Sequence, residues 1–253
     1  MKGDKYMKVV EKFVSIQGEG PFAGVPSSFI RFQGCVLACS FCDSKYSWYG
    51  VSEADDMSLE SLQDFVSRGP KHVVLTGGEP LLQLGENDFK LFISYLLAND
   101  YTVSFETTML RAKSDAIYGR IGSNYAKVQQ ILEADISKIN FIVSPKFDLK
   151  CYGRNKPPKI EMVLNFYVGA PYKNLFFKPI YTPEIEPLIL EHLSTLNKNW
   201  IKTNMFIMPY TPIPFDYEEY ISSCSATAMF CVKNNLRYSP RIQIDIWGNT
   251  RGV

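Results

Sequence analysis

Gly34-Cys35-Val36-Leu37-Ala38-Cys39-Ser40-Phe41-Cys42-Asp43-Ser44 is the stretch from which the rest of the chain is read. It holds three of the six cysteines, spaced C-x-x-x-C-x-x-C, with no fourth close by. Thiolates are soft ligands that select iron–sulfur clusters, zinc or copper(I). A closed structural zinc site or an all-cysteine cluster takes four of them. Three on one short loop point to a cluster with one metal corner open to chemistry. The competing explanations are incidental loop cysteines or a zinc site completed by a distant residue. The two histidines, His72 and His192, fall in no ligand pattern.

Working outward, the residues before the loop read as strands. Ser27 to Gln33 alternates, so Ile30 and Phe32 share one face while Phe29, Arg31 and Gln33 share the other. Arg31 is the only charge in that run. If its face is buried, the guanidinium needs a partner, for which a carboxylate is the fork-shaped match. If the face reaches water, Arg31 is solvated beside Gln33. Further upstream, Val9 to Ile16 reads as a first strand ending in the turn Gln17-Gly18-Glu19-Gly20-Pro21. Gln17 and Glu19 put an amide and a carboxylate at alternating positions there, and a solvated turn is the plain reading of that segment alone.

Cys-x-x-x-Cys-x-aromatic-Cys, with Phe41 as the aromatic residue, resembles the signature of the radical S-adenosylmethionine (SAM) superfamily. The resemblance implies a [4Fe–4S] cluster held by Cys35, Cys39 and Cys42. SAM then chelates the fourth iron and is split by the reduced cluster to a 5′-deoxyadenosyl radical. Such a cofactor carries the hard chemistry while the protein positions it and excludes water.

Three pieces sharpen the resemblance: Ser15-Ile16-Gln17-Gly18-Glu19-Gly20, the strand Ser28-Phe29-Ile30-Arg31-Phe32, and the loop end Cys42-Asp43-Ser44. Together they resemble the 7-carboxy-7-deazaguanine synthase family, which serves the queuosine precursor pathway. The likeness covers most of the chain and is densest over residues 15–44. It implies 6-carboxy-5,6,7,8-tetrahydropterin as substrate, with Ile16, Gln17, Gly18 and Glu19 on the pterin edge and Arg31 on its carboxylate. It also implies that the Ser44 hydroxyl binds Mg²⁺, a hard cation that takes few protein ligands; from the sequence alone Ser44 is a plain loop residue. Hydrogen abstraction, ring contraction and loss of ammonia would follow, with SAM regenerated and no protein general base required.

Downstream, strands and helices alternate. Ser58 can cap a helix carrying Leu59, Leu62, Phe65 and Val66. His72-Val73-Val74-Leu75 is an apolar strand running into Thr76-Gly77-Gly78-Glu79-Pro80. By itself this is a tight strand-to-helix turn, although glycines after a strand also admit a ligand. It resembles the Gly-Gly-Glu-Pro motif of radical SAM proteins, which implies that Gly78 and Glu79 contact SAM and that Thr76 faces the substrate. Phe89, Phe92, Ile93, Leu96 and Leu97 make a core helix face. Tyr101 to Phe105 is a strand ending in Glu106-Thr107-Thr108, where Thr108-Met109 departs from the family's common Glu-Thr-Asn-Gly.

Residues 111–137 read as a helical insertion. The strand Ile139 to Val143 ends in Ser144-Pro145-Lys146, which the resemblance places near SAM, as it does Phe41, Cys42 and Asp43. Without it, Lys146 is as well explained as a solvated lysine. Residues 151–158 form a basic loop. Strands follow at 162–168, 175–180 and 204–208, with a helix after Thr182-Pro183 and another over 217–234. The tail ends Trp247-Gly248 and Arg251-Gly252-Val253 as in the family, but carries Gln243 where His is common; its expected task is packing or dimerisation.

The pattern predicts one α/β domain over residues 1–253 with a parallel sheet, which the resemblance narrows to an incomplete (β/α) barrel of the radical SAM type. The motifs are expected at the carboxyl ends of the strands. With 253 residues, 46% of them hydrophobic, the chain can bury a full core. A net charge of +1 sets up no field for nucleic acid or anionic membranes. No signal-peptide core or bilayer-length run is present, and the other cysteines are scattered, so a reducing cytoplasm is expected. The expected partners are the pterin, a reductant such as flavodoxin, and a second copy in a homodimer. Two other readings stand beside this one: another radical SAM enzyme such as a glycyl-radical activase, against which Gln17-Gly18-Glu19 and Arg31 weigh, and a non-enzymatic iron–sulfur or zinc protein.

Overall fold

The computed structural model describes residues 6–35, 37–49, 54–108, 138–146, 174–195 and 198–253. The expected insertion at 111–137, the basic loop at 151–158 and the strand at 162–168 lie outside the described residues.

Among the described residues, seven strands build the main sheet: β1 (Met7–Ile16), β2 (Pro26–Phe32), β3 (Asp55–Met57), β4 (His72–Gly77), β5 (Thr102–Thr107), β6 (Ile139–Val143) and β7 (Leu175–Phe177). Their spatial order is β3-β1-β2-β4-β5-β6-β7. From β2 to β7 the pairings are parallel, whereas β1 runs antiparallel to both β2 and β3. A second parallel group, β8 (Ile180–Tyr181), β9 (Phe206–Pro209) and β10 (Arg237–Tyr238), has the order β10-β9-β8. A parallel bridge from Phe177 to Met205 joins the two groups. Among the described residues no pairing closes the sheet on itself, so the architecture is an open, incomplete (β/α) barrel.

Register decides which residues meet. Ile30 pairs with Leu75 and Phe105 with Phe141, and all four are buried on the helix-covered face. Alternation sends Phe29, Arg31, Thr76 and Glu106 to the other, concave face. Helix α1 (Leu59–Ser67) begins at Ser58, whose hydroxyl accepts from the Ser61 amide at 3.2 Å, a cap that contributes about 1 kcal/mol. It buries Leu62 and Val66. Helix α2 (Asn87–Ala98) buries Phe89, Phe92, Ile93 and Leu96. Phe89 meets Phe32 edge-on at 5.4 Å and Phe105 at 6.1 Å, and Phe105 stacks on Phe141 at 5.6 Å. This aromatic ladder locks α2 to three strands.

Two expected strands are revised. The run 175–180 is broken at Lys178-Pro179, because Pro179 has no N–H for a ladder. The Lys178 amide still donates to Val143 O at 2.7 Å, while Pro179 O accepts from Met208 N at 2.9 Å. The chain therefore leaves one sheet for the other at Lys178. The strand expected from residue 204 starts at Phe206, since Asn204 ends the helix Lys198–Asn204 and spends its side-chain amide on Leu175 O at 2.8 Å.

The placement of the first turn is also revised. Because β1 is antiparallel, its carboxyl end lies at the amino edge of the parallel strands. Gln17 and the residues after it reach the site by crossing the concave face, where Phe22 packs on His72 at 4.8 Å and on Phe176 at 6.1 Å.

Candidate active site

A cavity of about 510 Å³ opens on the concave face. Ile16, Gln17, Gly18, Glu19, Arg31, Cys35, Cys39, Phe41, Cys42, Asp43, Ser44, Thr76, Gly78, Ser144 and Lys146 all line it. Two of the expected residues do not: Glu79 and Pro145 are buried behind its wall.

The cysteine loop is anchored from below. Gly34 N donates to Ser47 O at 2.8 Å. At Gly77 φ is +138°, and a Cβ at Gly77 or Gly78 would overlap the backbone of Phe32 or Gly34. Here the paired glycines admit a neighbouring stretch of protein backbone. Gly78 N donates to Phe32 O at 3.2 Å and Glu79 N to Gly34 O at 2.7 Å. Glu79 is fully buried. Its carboxylate accepts from Leu81 N, Thr107 Oγ1, Thr108 N and Thr108 Oγ1 at 2.7 to 3.1 Å. Burial nevertheless keeps its pKa above the ordinary carboxylate value. Glu79 thus joins the β4 turn to the β5 turn, and Thr108, the departure from the family pattern, supplies two of the donors.

Trp48 Nε1 donates to Cys42 Sγ at 3.2 Å and Leu37 N to Cys35 Sγ at 3.4 Å, and Ser44 Oγ lies 3.7 Å from Cys42 Sγ. Burial pushes the Cys35 thiol up to about 12; such a thiol ionises only when a metal takes the place of its proton. Among the described residues no three Cys, His, Asp or Glu side chains gather around a point able to hold one ion. An iron–sulfur cubane does not ask for that, because each of its thiolates meets a different iron. The donor set, three soft sulfurs with N–H donors aimed at two of them, fits such a cluster.

Opposite the cysteines lies a buried charged network. Glu19 Oε2 is 2.5 Å from Lys178 Nζ, which is also 2.7 Å from Glu106 Oε2. Gln17 Nε2 donates to Glu106 Oε1 at 3.1 Å, and Gln17 Oε1 accepts from Glu19 N at 3.2 Å. Glu19 Oε1 accepts from Arg241 Nε at 2.9 Å and Gln243 Nε2 at 2.7 Å. Burial alone would raise the Glu19 carboxyl, but the Lys178 and Arg241 charges outweigh it and hold the group well below the ordinary range. Burial raises Glu106, only partly offset by Lys178. The solvated turn read from residues 17–21 alone is therefore replaced by an ionic anchor.

Arg31 has the carboxylate partner that one sequence reading called for. Its Nε lies 2.5 Å from Glu11 Oε1, and Glu11 is its cross-strand neighbour on β1. Tyr46 OH donates to the same oxygen at 2.8 Å, while Arg251 Nε takes Glu11 Oε2 at 2.9 Å and stacks 3.8 Å over the Tyr46 ring.

Sequence reasoning missed Glu11, Tyr46, Glu106, Lys178 and Arg241. One signal was available: Lys178 interrupts the apolar run Leu175-Phe176-Phe177-Lys178-Pro179-Ile180, just as Arg31 interrupts its own. A buried cation there requires anions. The tail packs, as expected, but into the cavity wall, where Asn249 to Val253 are lining residues. Gln243 fits because position 18 is glycine, as a Cβ there would overlap its Oε1. That oxygen is buried without a hydrogen-bond donor.

Residues 29–141 match the family described as the Radical SAM superfamily, whose membership implies a [4Fe–4S] cluster and SAM. The chain is 30% identical to the 7-carboxy-7-deazaguanine synthase of Hyperthermus butylicus over 94% of its length and 92% of that protein's. It is 28% identical to the synthase of Halobacterium salinarum over 96% and 91%. The crystal structure of QueE from Escherichia coli superposes with a TM-score of 0.60 at 21% identity, covering 94% of this chain and 95% of that one, which establishes the shared fold. A relative aligned along nearly the whole of both chains decides the matter: this protein belongs to the 7-carboxy-7-deazaguanine synthase family of radical SAM enzymes.

Proposed function

We propose that this enzyme converts 6-carboxy-5,6,7,8-tetrahydropterin to 7-carboxy-7-deazaguanine with loss of ammonia. One observation carries the reading. A single cavity joins Cys35, Cys39 and Cys42 on one wall to Gln17, Glu19 and Arg31 on the other. Cys35, Cys39 and Cys42 would hold the cluster; with SAM bound it supplies a 5′-deoxyadenosyl radical. Ser144 and Lys146, joined by a 2.7 Å hydrogen bond from Lys146 Nζ to Ser144 Oγ, would meet SAM's polar groups. The Ser44 hydroxyl would contribute a hard oxygen to Mg²⁺.

The remaining work belongs to orientation. Glu19 is held ionised, with both acceptor sites of Oε1 filled by Arg241 and Gln243 and one site of Oε2 by Lys178. One acceptor position remains for a ring N–H of the pterin. Arg31, steadied through Nε by Glu11, is the cation for the substrate carboxylate. No side chain is assigned as a general base.

The same proposal includes a cytoplasmic enzyme, a reductant such as flavodoxin and a homodimer. No described helix is long and apolar enough to cross a membrane. The test is an anaerobic assay of reconstituted enzyme with SAM, Mg²⁺, dithionite and the carboxytetrahydropterin, read by mass spectrometry. The deazaguanine carboxylate should form, and should vanish with Cys39→Ala. Release of 5′-deoxyadenosine without that product would keep the superfamily and discard this substrate.

A further inference from the structure

Arg241 is 5% exposed, and each guanidinium nitrogen is committed to a different part of the chain. Nε lies 2.9 Å from Glu19 Oε1, Nη2 lies 2.5 Å from Asp43 Oδ2, and Nη1 donates to Thr211 Oγ1. Glu19 belongs to the loop crossing the concave face, and Asp43 directly follows Cys42 in the cysteine loop. The next residue extends the tie through the backbone, with Ile242 N donating to Gly18 O at 3.0 Å. A rigid planar fork can span two carboxylates in this way; a lysine, a point charge on a flexible stem, cannot.

We propose that Arg241 is a positioning residue that fixes the Gln17–Glu19 loop at a set distance from the cysteine loop, so that SAM cleavage stays coupled to a correctly placed substrate. The assignment of the two walls to substrate and SAM rests on the function proposed above. The ion-pair tie itself does not. Burial of Lys178, Arg241, Glu19 and Glu106 supports a deliberate arrangement, with the half-exposed Asp43 at its end. Three carboxylates (Glu106, Glu19, Asp43) alternate with two cations (Lys178, Arg241) in one chain of contacts. Removing Arg241 disconnects that chain between Glu19 and Asp43, while Lys178 still holds the Glu19 side.

The test compares Arg241→Lys and Arg241→Gln with wild-type holoenzyme under anaerobic turnover. Measured quantities are iron content, KM for the pterin, kcat, and the ratio of 5′-deoxyadenosine to product. The expected result is wild-type iron content, KM raised about tenfold, as for a lost charged hydrogen bond, and a severalfold higher ratio in both variants. Arg241→Lys keeps the charge and the stem, so a defect there isolates the spanning geometry. Unchanged KM and ratio in both variants would overturn the proposal, as would a loss of iron and turnover in strict proportion to unfolded protein.

A second measurement separates this inference from the assigned substrate. Should wild-type enzyme cleave SAM but leave the pterin untouched, the function above falls. The tie is then judged by thermal unfolding of holoenzyme carrying Arg241→Gln, Asp43→Asn and both. Non-additive shifts support it and additive shifts overturn it.

Discussion

Lys178 Nζ stands 2.5 Å from Glu19 Oε2 although 159 residues separate them in the chain. The pair is buried, and Glu106 at 2.7 Å completes it. Lys178→Met should therefore leave Glu106 without a cation and Glu19 with Arg241 alone, and cost about 3–5 kcal/mol. For a chain of this size that is a melting temperature lower by on the order of 10 °C. Calorimetry of Lys178→Met, and of Lys178→Met with Glu106→Gln, checks it: the second change should restore part of the loss, and no restoration would refute the ion-pair account.

Gly18→Ala tests the tail's approach. The new methyl would overlap Gln243 Oε1 and come within 3.0 Å of Gln243 N, so the amide must swing away from Glu19. Loss of one hydrogen bond to a charged group should raise KM for the pterin about tenfold, with little change in kcat. Steady-state kinetics alongside Gln243→Ala should give the same defect, and the double variant no more than either alone.

Gly78→Ala acts on the other wall. Its Cβ would overlap the Gly34 carbonyl and reach Cys35 Cβ, and rigid backbone cannot yield as a side-chain tip can. The cysteine loop should be displaced and reconstituted iron and sulfide per chain should fall severalfold, while far-UV circular dichroism stays near wild type. Full cluster loading would show that the glycine is not needed for this approach.

His72 provides a pH signature of the fold. Its ring nitrogens lie 2.8 Å from Ser27 Oγ and 2.8 Å from Ser104 Oγ across β2, β4 and β5, and burial lowers its pKa to about 4. Between pH 6.5 and pH 4 the unfolded chain binds a proton that the folded chain refuses. This contribution to stability is therefore full above pH 6.5 and is lost as pH falls through that window, by up to about 3 kcal/mol. His192, lowered to about 4 by burial as well, adds to the same slope. Thermal unfolding between pH 7 and pH 4 should show His72→Gln with a flatter slope; an unchanged slope would remove His72 as its source.

Much of this was legible in residue order. Ile139–Val143 and the helix Tyr217–Asn234 have the bounds that periodicity predicts, because each carries its own signals: a short apolar run, or an Asp216 cap at one end and Asn235 in the left-handed region at the other. The face carrying Phe29 and Arg31 was read from alternation alone. Local spacing also marked the three cysteines, since ligands on one loop must be close in sequence.

The charged anchor was not legible, because its members come from residues 19, 43, 106, 178 and 241, and no local pattern records which anion a distant cation meets. The same limit explains β1: its antiparallel direction follows from pairing partners, and it sends Gln17 and Glu19 across the concave face when their position after a strand suggested a shared edge. Amino-acid order thus settled elements, faces and the cysteine loop, which depend on contacts a few residues apart. The pairing of Glu19 with Lys178 and Arg241, and the burial of Glu79 behind the wall it was expected to line, were decided only when packing excluded water and forced each buried charge to find its counterion.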